Sequence, residues 1–136
     1  MRDVDVLLSV NEAFYHAFRR RDVAAMERVW AERAPVTCIH PGWRALAGRA
    51  EVVESWRAIL SNPEAPDIRC RDARAYPNGD LAYVVCYEVI GRSALVATNV
   101  FAREDGTWKL VHHQAGPCEP PPGIFRESEP ETPSLQ

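Results

Sequence analysis

The sequence lacks any apolar run near the ~18 residues that a membrane-crossing helix needs. Its longest apolar stretches, Leu81 to Tyr87 and Ala94 to Ala97, are strand-sized. The N-terminus has acids where a secretory leader would be basic, and no long apolar core, so the expected location is cytoplasmic. The four cysteines, Cys38, Cys70, Cys86 and Cys118, form no C-x-x-C pair, which removes the zinc knuckle and the thioredoxin-type motif. No glycine-rich phosphate loop and no G-x-S-x-G turn occurs, which removes nucleotide chemistry and serine hydrolysis. There is no excess of base to attract nucleic acid or anionic membrane: the net charge is -3, and all of it belongs to the last twenty residues.

What is present fits one globular domain. The chain has 136 residues, 46% hydrophobic and 26% charged, which disfavours disorder, collagen-like repeats and coiled coil. Leu7, Leu8, Asn11, Phe14, Tyr15 and Phe18 repeat at three- and four-residue spacing and predict a helix over 4–20. Arg19, Arg20 and Arg21 then suit the negative end of its dipole. Asp22 caps a second, shorter helix through Val23, Met26, Val29 and Trp30. A short strand, 36–40, stops at Pro41-Gly42, and Val52, Val53, Trp56, Ile59 and Leu60 mark a third helix over 49–62.

From Ile68 to Ala115 the pattern is strand-like, cut by turns at Pro77-Asn78-Gly79-Asp80, Gly91-Arg92 and Asp105-Gly106. Three tight turns in succession predict an antiparallel meander, because parallel strands need long crossovers. Helices first and an antiparallel sheet afterwards give an α+β class, with the helices on one face of the sheet. Residues 1–116 form the predicted domain. Residues 117–136 hold six of the eleven prolines and read as an acidic tail that builds neither helix nor central strand. Ile124 and Phe125 are its candidates for docking.

The helix-helix-strand-helix-meander order resembles the nuclear transport factor 2-like superfamily, and the local sequence resembles its SnoaL-like branch. The residues that carry the likeness are Ile39-His40-Pro41-Gly42-Trp43, Gly48-Arg49, Glu54-Ser55-Trp56, Ala97-Thr98-Asn99-Val100-Phe101 and Asp105-Gly106-Thr107-Trp108-Lys109-Leu110-Val111-His112-His113. The resemblance implies a cone-shaped, cystatin-like fold, three N-terminal helices packed on a curved antiparallel sheet around a pocket. Isomerases, dehydratases, epoxide hydrolases, cyclases, ligand binders and assembly domains share this scaffold, so it implies no single activity.

In ketosteroid isomerases of the superfamily, the strand after the second helix ends in an Asp-Pro pair whose Asp is the base; the matching residues here are His40-Pro41. A His there moves a proton near neutral pH. The isomerase's helix-one tyrosine falls at Phe14 or Tyr15, with no protonated-acid partner apparent in the strands, so steroid isomerisation is not expected. In the related association domain of calcium/calmodulin-dependent kinases a pocket arginine matches Asn99, so recognition of a carboxylate by that arginine is lost. Asn99 itself interrupts an apolar strand and needs hydrogen-bond partners.

Which histidine accompanies Asn99 depends on one turn. A two-residue Asp105-Gly106 loop sets Asn99 opposite His112; a three-residue loop starting at Glu104 sets it beside Val111 and His113. The second is preferred here, and it sends Trp108, Leu110 and His112 to the opposite face of the sheet. That face, too large for three helices to cover, predicts a homodimer packed sheet to sheet. Tyr83, Val85 and Tyr87 are assigned to the core side of their strand and Glu88 to solvent or an interface.

The reading is thus a small-organic-molecule pocket protein working without cofactor or metal, with no nucleic-acid or membrane partner. His40, Asn99 and Tyr15, with His113 as a weaker candidate, are the expected catalytic groups of an isomerase, lyase or hydrolase step. Asn11, Trp30, Trp43, Trp56, Tyr83, Tyr87 and Phe101 are the expected ligand contacts. The alternative is a non-catalytic binding or dimeric assembly domain.

Overall fold

The computed structural model describes residues 2–126. Helix α1 (Asp3–Arg20) carries acids in its first turn and Arg19 and Arg20 in its last, complementary to the helix dipole. It ends where Arg21 turns left-handed and its guanidinium donates to the carbonyls of Asn62, Pro63 and Ala65. Asp22 Oδ1 accepts from the Ala25 N–H at 3.0 Å and starts α2 (Val23–Val29), as the sequence predicts. Gly48, with φ +93°, takes a backbone shape closed to other residues and opens α3 (Arg49–Ser61). The Arg49 guanidinium donates to the carbonyls of Glu27, Trp30 and Ala31, which ties α3 to the end of α2.

The strands are β1 (Thr37–Ile39), β2 (Leu46–Ala47), β3 (Arg69–Asn78), β4 (Leu81–Ile90), β5 (Ser93–Glu104) and β6 (Thr107–Pro117), in the order β2-β1-β6-β5-β4-β3. The predicted meander from β3 to β6 is antiparallel throughout. The sheet as a whole is mixed, because β1 runs parallel to β6; β1 also pairs antiparallel with the short β2, which no sequence pattern marks as a strand.

The last hairpin corrects one expectation and keeps its consequence. The turn is the two-residue Asp105-Gly106 loop, with Glu104 opposite Thr107 and both turn residues left-handed (φ 54° and 77°). Farther along, a bulge leaves Val111 unpaired, so Phe101 faces Leu110 while Val100 faces His112. Asn99 therefore does lie opposite His113. The two-residue turn, by pairing Trp108 with Arg103 and Leu110 with Phe101, places both on the helix side, where they are buried in the core, rather than on the outer face.

Strand β4 is also turned over relative to expectation. Ala82, Val84, Cys86 and Glu88 face the helices; Tyr83 is exposed on the outside, stacked on Tyr76 with ring centroids 5.0 Å apart. The reason is volume: Phe14, Tyr15 and Phe18 of α1 fill the space beneath the sheet, so the strand residues below them are small. In the tail Ile124 is buried and Phe125 stays 43% exposed beside Gly91 and Arg92, so one of the two expected residues docks. Glu127, Glu129 and Glu131, which supply the acidic character expected of the tail, lie outside the described residues.

Candidate functional site

Moving along α1, the interior changes from apolar to polar to open. Around Leu7, the residues Met26, Trp30, Val84, Phe101 and Leu110 are all buried to within 1% and form a filled core. Next comes a polar layer: Asn11 and Tyr15 from α1, Glu88 from β4, Asn99 from β5 and His113 from β6, none more than 3% exposed. Beyond it a cavity of about 420 Å³ opens, lined on its polar wall by Tyr15, Glu88 and His113 and elsewhere by Phe14, Phe18, His40, Pro41, Trp43, Trp56, Ile59, Pro66, Ile68, Ile90 and Leu95.

Hydrogen bonds in the layer fix each group's role. Asn99 Nδ2 donates to Asn11 Oδ1 at 2.8 Å and to the Tyr15 hydroxyl at 3.2 Å. Asn99 Oδ1 is thereby left to face His113 Nδ1 at 2.6 Å, and it accepts that nitrogen's proton. The Tyr15 hydroxyl donates to Glu88 Oε2 at 2.7 Å. His113, protonated on Nδ1, turns the bare Nε2 toward the same Glu88 oxygen at 3.8 Å, too far for a direct hydrogen bond.

Burial sets the charges of this pair. Desolvation raises the Glu88 carboxyl to about 7, against a smaller opposing effect of the Tyr15 hydrogen bond. Desolvation, aided by the neighbouring His40 and His112, lowers His113 to about 3. Near neutrality the carboxyl is about half protonated and the imidazole is uncharged, so the pair is not a salt bridge. Tyr15 is held well above its ordinary value by burial and by Glu88, which keeps it a hydroxyl donor.

His40 is a separate group on another wall of the cavity. Ser55, from α3, donates its hydroxyl proton to the Val52 carbonyl at 2.7 Å, so its oxygen accepts from His40 Nε2 at 2.9 Å. His40 is therefore protonated on Nε2 and bare at Nδ1, the opposite tautomer to His113. Its ring packs edge-on against Trp43 and Trp56, with centroids 4.6 and 4.7 Å away, and burial lowers it to about 4.

Three of the four expected catalytic residues, Tyr15, Asn99 and His113, are thus brought together by direct hydrogen bonds. His40 shares their cavity without bonding to them. Of the expected ligand contacts, Trp43 and Trp56 line the cavity. Asn11 lies behind Asn99, and Trp30 and Phe101 belong to the filled core, where their bulk closes the narrow end. Tyr83 and Tyr87 are on the outer face because β4 is inverted. The site residue that sequence reasoning misses is Glu88, on the inverted β4. Its signal was parity: it shares its face with Ala82, Val84 and Cys86, whose small size marks them as the residues under a helix. Ser55 carries no sequence signal beyond the Glu54-Ser55-Trp56 motif. Among the described residues, no group of three His, Cys, Asp or Glu side chains is placed to hold a metal ion.

Comparison with known proteins places this geometry in a family. A protein from Streptomyces avermitilis described as a "putative dehydratase" of the NTF2-like family is 34% identical, with 87% of this chain and 97% of that one covered and a TM-score of 0.78. A "putative calcium/calmodulin-dependent protein kinase type II association domain" from Thiobacillus denitrificans is 30% identical over 82% of this chain and 94% of that one, TM-score 0.73. The F-box protein SKIP8 of Arabidopsis thaliana is 31% identical over 111 residues, 80% of this chain. The chain spans about half of that protein's length, 48%. The family model of the SnoaL-like domain matches residues 7–118, and the chain belongs to that family, within the NTF2-like superfamily.

Proposed function

We propose that this protein is a cofactor-independent acid-base enzyme whose proton-transfer pair is Glu88 and His113, and that its reaction is the elimination of water from a β-hydroxy carbonyl compound. The observation that carries the reading is the pair itself, a carboxyl and a bare imidazole nitrogen 3.8 Å apart on one cavity wall. Protonated Glu88 gives its proton to the leaving hydroxyl as the C–O bond breaks. His113 Nε2 takes the proton from the neighbouring carbon, and the electron pair of that C–H bond becomes the double bond. The proton on His113 then passes to Glu88 across the short gap, which resets both groups. Tyr15 and Asn99 hold the pair in orientation, and His40, bare at Nδ1, orients the carbonyl end of the substrate from its own place on the cavity lining. The 34% identical relative described as a "putative dehydratase" supports this reaction class.

The test is turnover of fused-ring β-hydroxy ketones, followed by absorbance of the enone. Glu88→Gln and His113→Gln should each lower kcat by about 10² to 10⁴-fold with the circular dichroism spectrum unchanged. Full activity in both variants, or a wild-type protein inert toward every such ketone, would favour the non-catalytic binding or assembly reading. That reading draws on the relatives that are an F-box protein and an association domain.

The outer sheet face supports a dimer, although not through Trp108 and Leu110. Tyr76, Leu81 and Tyr83 are 43 to 54% exposed there, beside Val85, Val96 and Val100. A homodimer packed sheet to sheet would cover them. Light scattering at micromolar concentration should give twice the chain mass, and a monomer would remove the idea. Four free thiols fit a reducing, cytoplasmic setting, and no described helix is long and apolar enough to cross a membrane.

A further inference from the structure

Two thiols that the proposed chemistry leaves unused adjoin its polar layer. Cys70 is on β3, the edge strand of the sheet, opposite Glu88; Cys86 is two residues before Glu88 on β4 and on the same face, so the two form a diagonal cross-strand pair. Their thiols bond to each other. Asn11 Nδ2 donates to Cys70 Sγ at 3.7 Å, and Cys86 Sγ lies 3.2 Å from the Tyr15 hydroxyl oxygen. Because that hydroxyl gives its proton to Glu88, Cys86 donates to Tyr15 and Cys70 donates to Cys86. One line of hydrogen bonds therefore runs from the sheet edge through both sulfurs and Tyr15 to the carboxyl. The Cys70 bond outweighs burial and lowers the Cys86 thiol from its ordinary value, and the same bond raises Cys70, so Cys86 is the sulfur that ionises. Among the described residues, Cys38 and Cys118 meet His40 and the Ala94 carbonyl rather than another sulfur. Asp72 and Ala73 together face Cys86 in a bulge, with Asp72 left-handed at φ 51°, so the strand that carries Cys70 is irregular where the pair must close.

We propose that Cys70 and Cys86 are a redox pair that closes to a disulfide on meeting a hydroperoxide, and that closure switches the neighbouring Tyr15 and Glu88 wall. The Cys86 thiolate attacks the peroxide: an S–O bond forms, the O–O bond breaks, and the departing oxygen takes up the proton that Cys86 gave up, leaving as alcohol or water. Cys70 then attacks the Cys86 sulfur, the S–S bond forms, the S–O bond breaks, and the hydroxyl leaves as water with the Cys70 proton. Two thiols are oxidised by two electrons and one O–O bond is reduced. Both S–H groups are then gone, so Cys86 no longer donates to Tyr15 and its sulfur turns away toward Cys70. A thiol reductant reopens the bridge at the partly exposed Cys70. The bridge rests on the cysteine geometry alone; the loss of turnover rests on the acid-base reading given above.

Hydrogen peroxide added to the full-length protein tests this. The thiols counted in denaturant should fall from four to two, a non-reducing peptide map should show Cys70 joined to Cys86, and dithiothreitol should restore all four. The double variant Cys38→Ser, Cys118→Ser should form the same bridge, whereas Cys70→Ser, at the partly exposed site, should stop at a Cys86 sulfenic acid that dimedone traps. Four surviving thiols, a link between any other cysteines, or disulfides between chains would overturn the proposal. Bridging should also shift the His113 ring resonances through the Tyr15 and Asn99 bonds, and should slow turnover of a β-hydroxy ketone about 10-fold, the loss of one hydrogen bond to Tyr15. A bridge that leaves the His113 resonances in place would overturn the switch. A bridge that shifts them in a protein inert toward every such ketone would leave the switch standing and remove only the dehydration chemistry.

Discussion

The two ends of the space between helices and sheet are built from the same elements and behave differently. At the filled end α1 contributes Leu7, β4 Val84, β5 Phe101 and β6 Leu110, and Trp30 closes the gap. At the open end the same four elements contribute Phe18, Glu88, Leu95 and His113, and nothing of Trp30's size fills the middle. Between them the Asn11, Tyr15 and Asn99 layer saturates its hydrogen bonds sideways, so that the polar groups meet the cavity on one side and hydrocarbon on the other. The lesson is that the pocket exists because one position along the cone lacks a plug, and that the polar layer keeps the absence from collapsing.

The comparison is tested most strongly by truncating a tryptophan at each end. Trp30→Ala removes a wholly buried side chain from close packing and should cost about 3 to 5 kcal/mol in denaturant unfolding. Trp56→Ala removes a ring that already borders the cavity, so it should cost clearly less. Equal losses would mean that the two ends are packed alike and that the cavity is not a standing feature.

A smaller effect comes from pH. Below about 6.5 the unfolded chain protonates His40 and His113, whereas the folded cavity keeps them neutral down to about 4 and about 3. Their contribution is complete above about 6.5 and is lost as pH falls through that window. Glu88 works in the other direction: its folded carboxyl keeps a proton up to about 7, so its contribution is complete below about 4.5 and is lost as pH rises toward 7. Two histidines outweigh one carboxyl, so the melting temperature should fall on acidification from about pH 7 to about pH 5. Glu88→Gln removes the opposing group and should steepen that fall. Trp30→Ala, at the filled end, should leave the pH dependence as it is. A melting temperature independent of pH in this range would show that the histidines reach water.

Much of the fold is legible because its signals are local. The α1 stripe, the Asp22 cap, the Gly48 start of α3 and the positions of the three hairpin turns each follow from residues within one turn of chain. The errors share one cause. Facing in a strand flips with a one-residue slip, and the Val111 bulge and the inverted β4 are set by what packs across the sheet, which no local pattern contains. Asn99 and His113 were found together through register reasoning whose turn was wrong and whose partner was right, because the bulge restores the parity that the two-residue turn removes.

The sequence by itself determined the α+β class, the element order, the family likeness, and the identity of His40, Asn99, Tyr15 and His113 as polar groups needing an explanation. Each rests on short-range periodicity, turn chemistry or the cost of burying an unpaired polar group. Only the tertiary structure decided that Glu88 joins them and that His40 stands apart with Ser55. It also decided which tautomer each imidazole holds. Those facts depend on atoms 15 to 88 residues distant in the chain meeting within hydrogen-bond reach, and on desolvation, which belongs to the packed interior rather than to any residue in it.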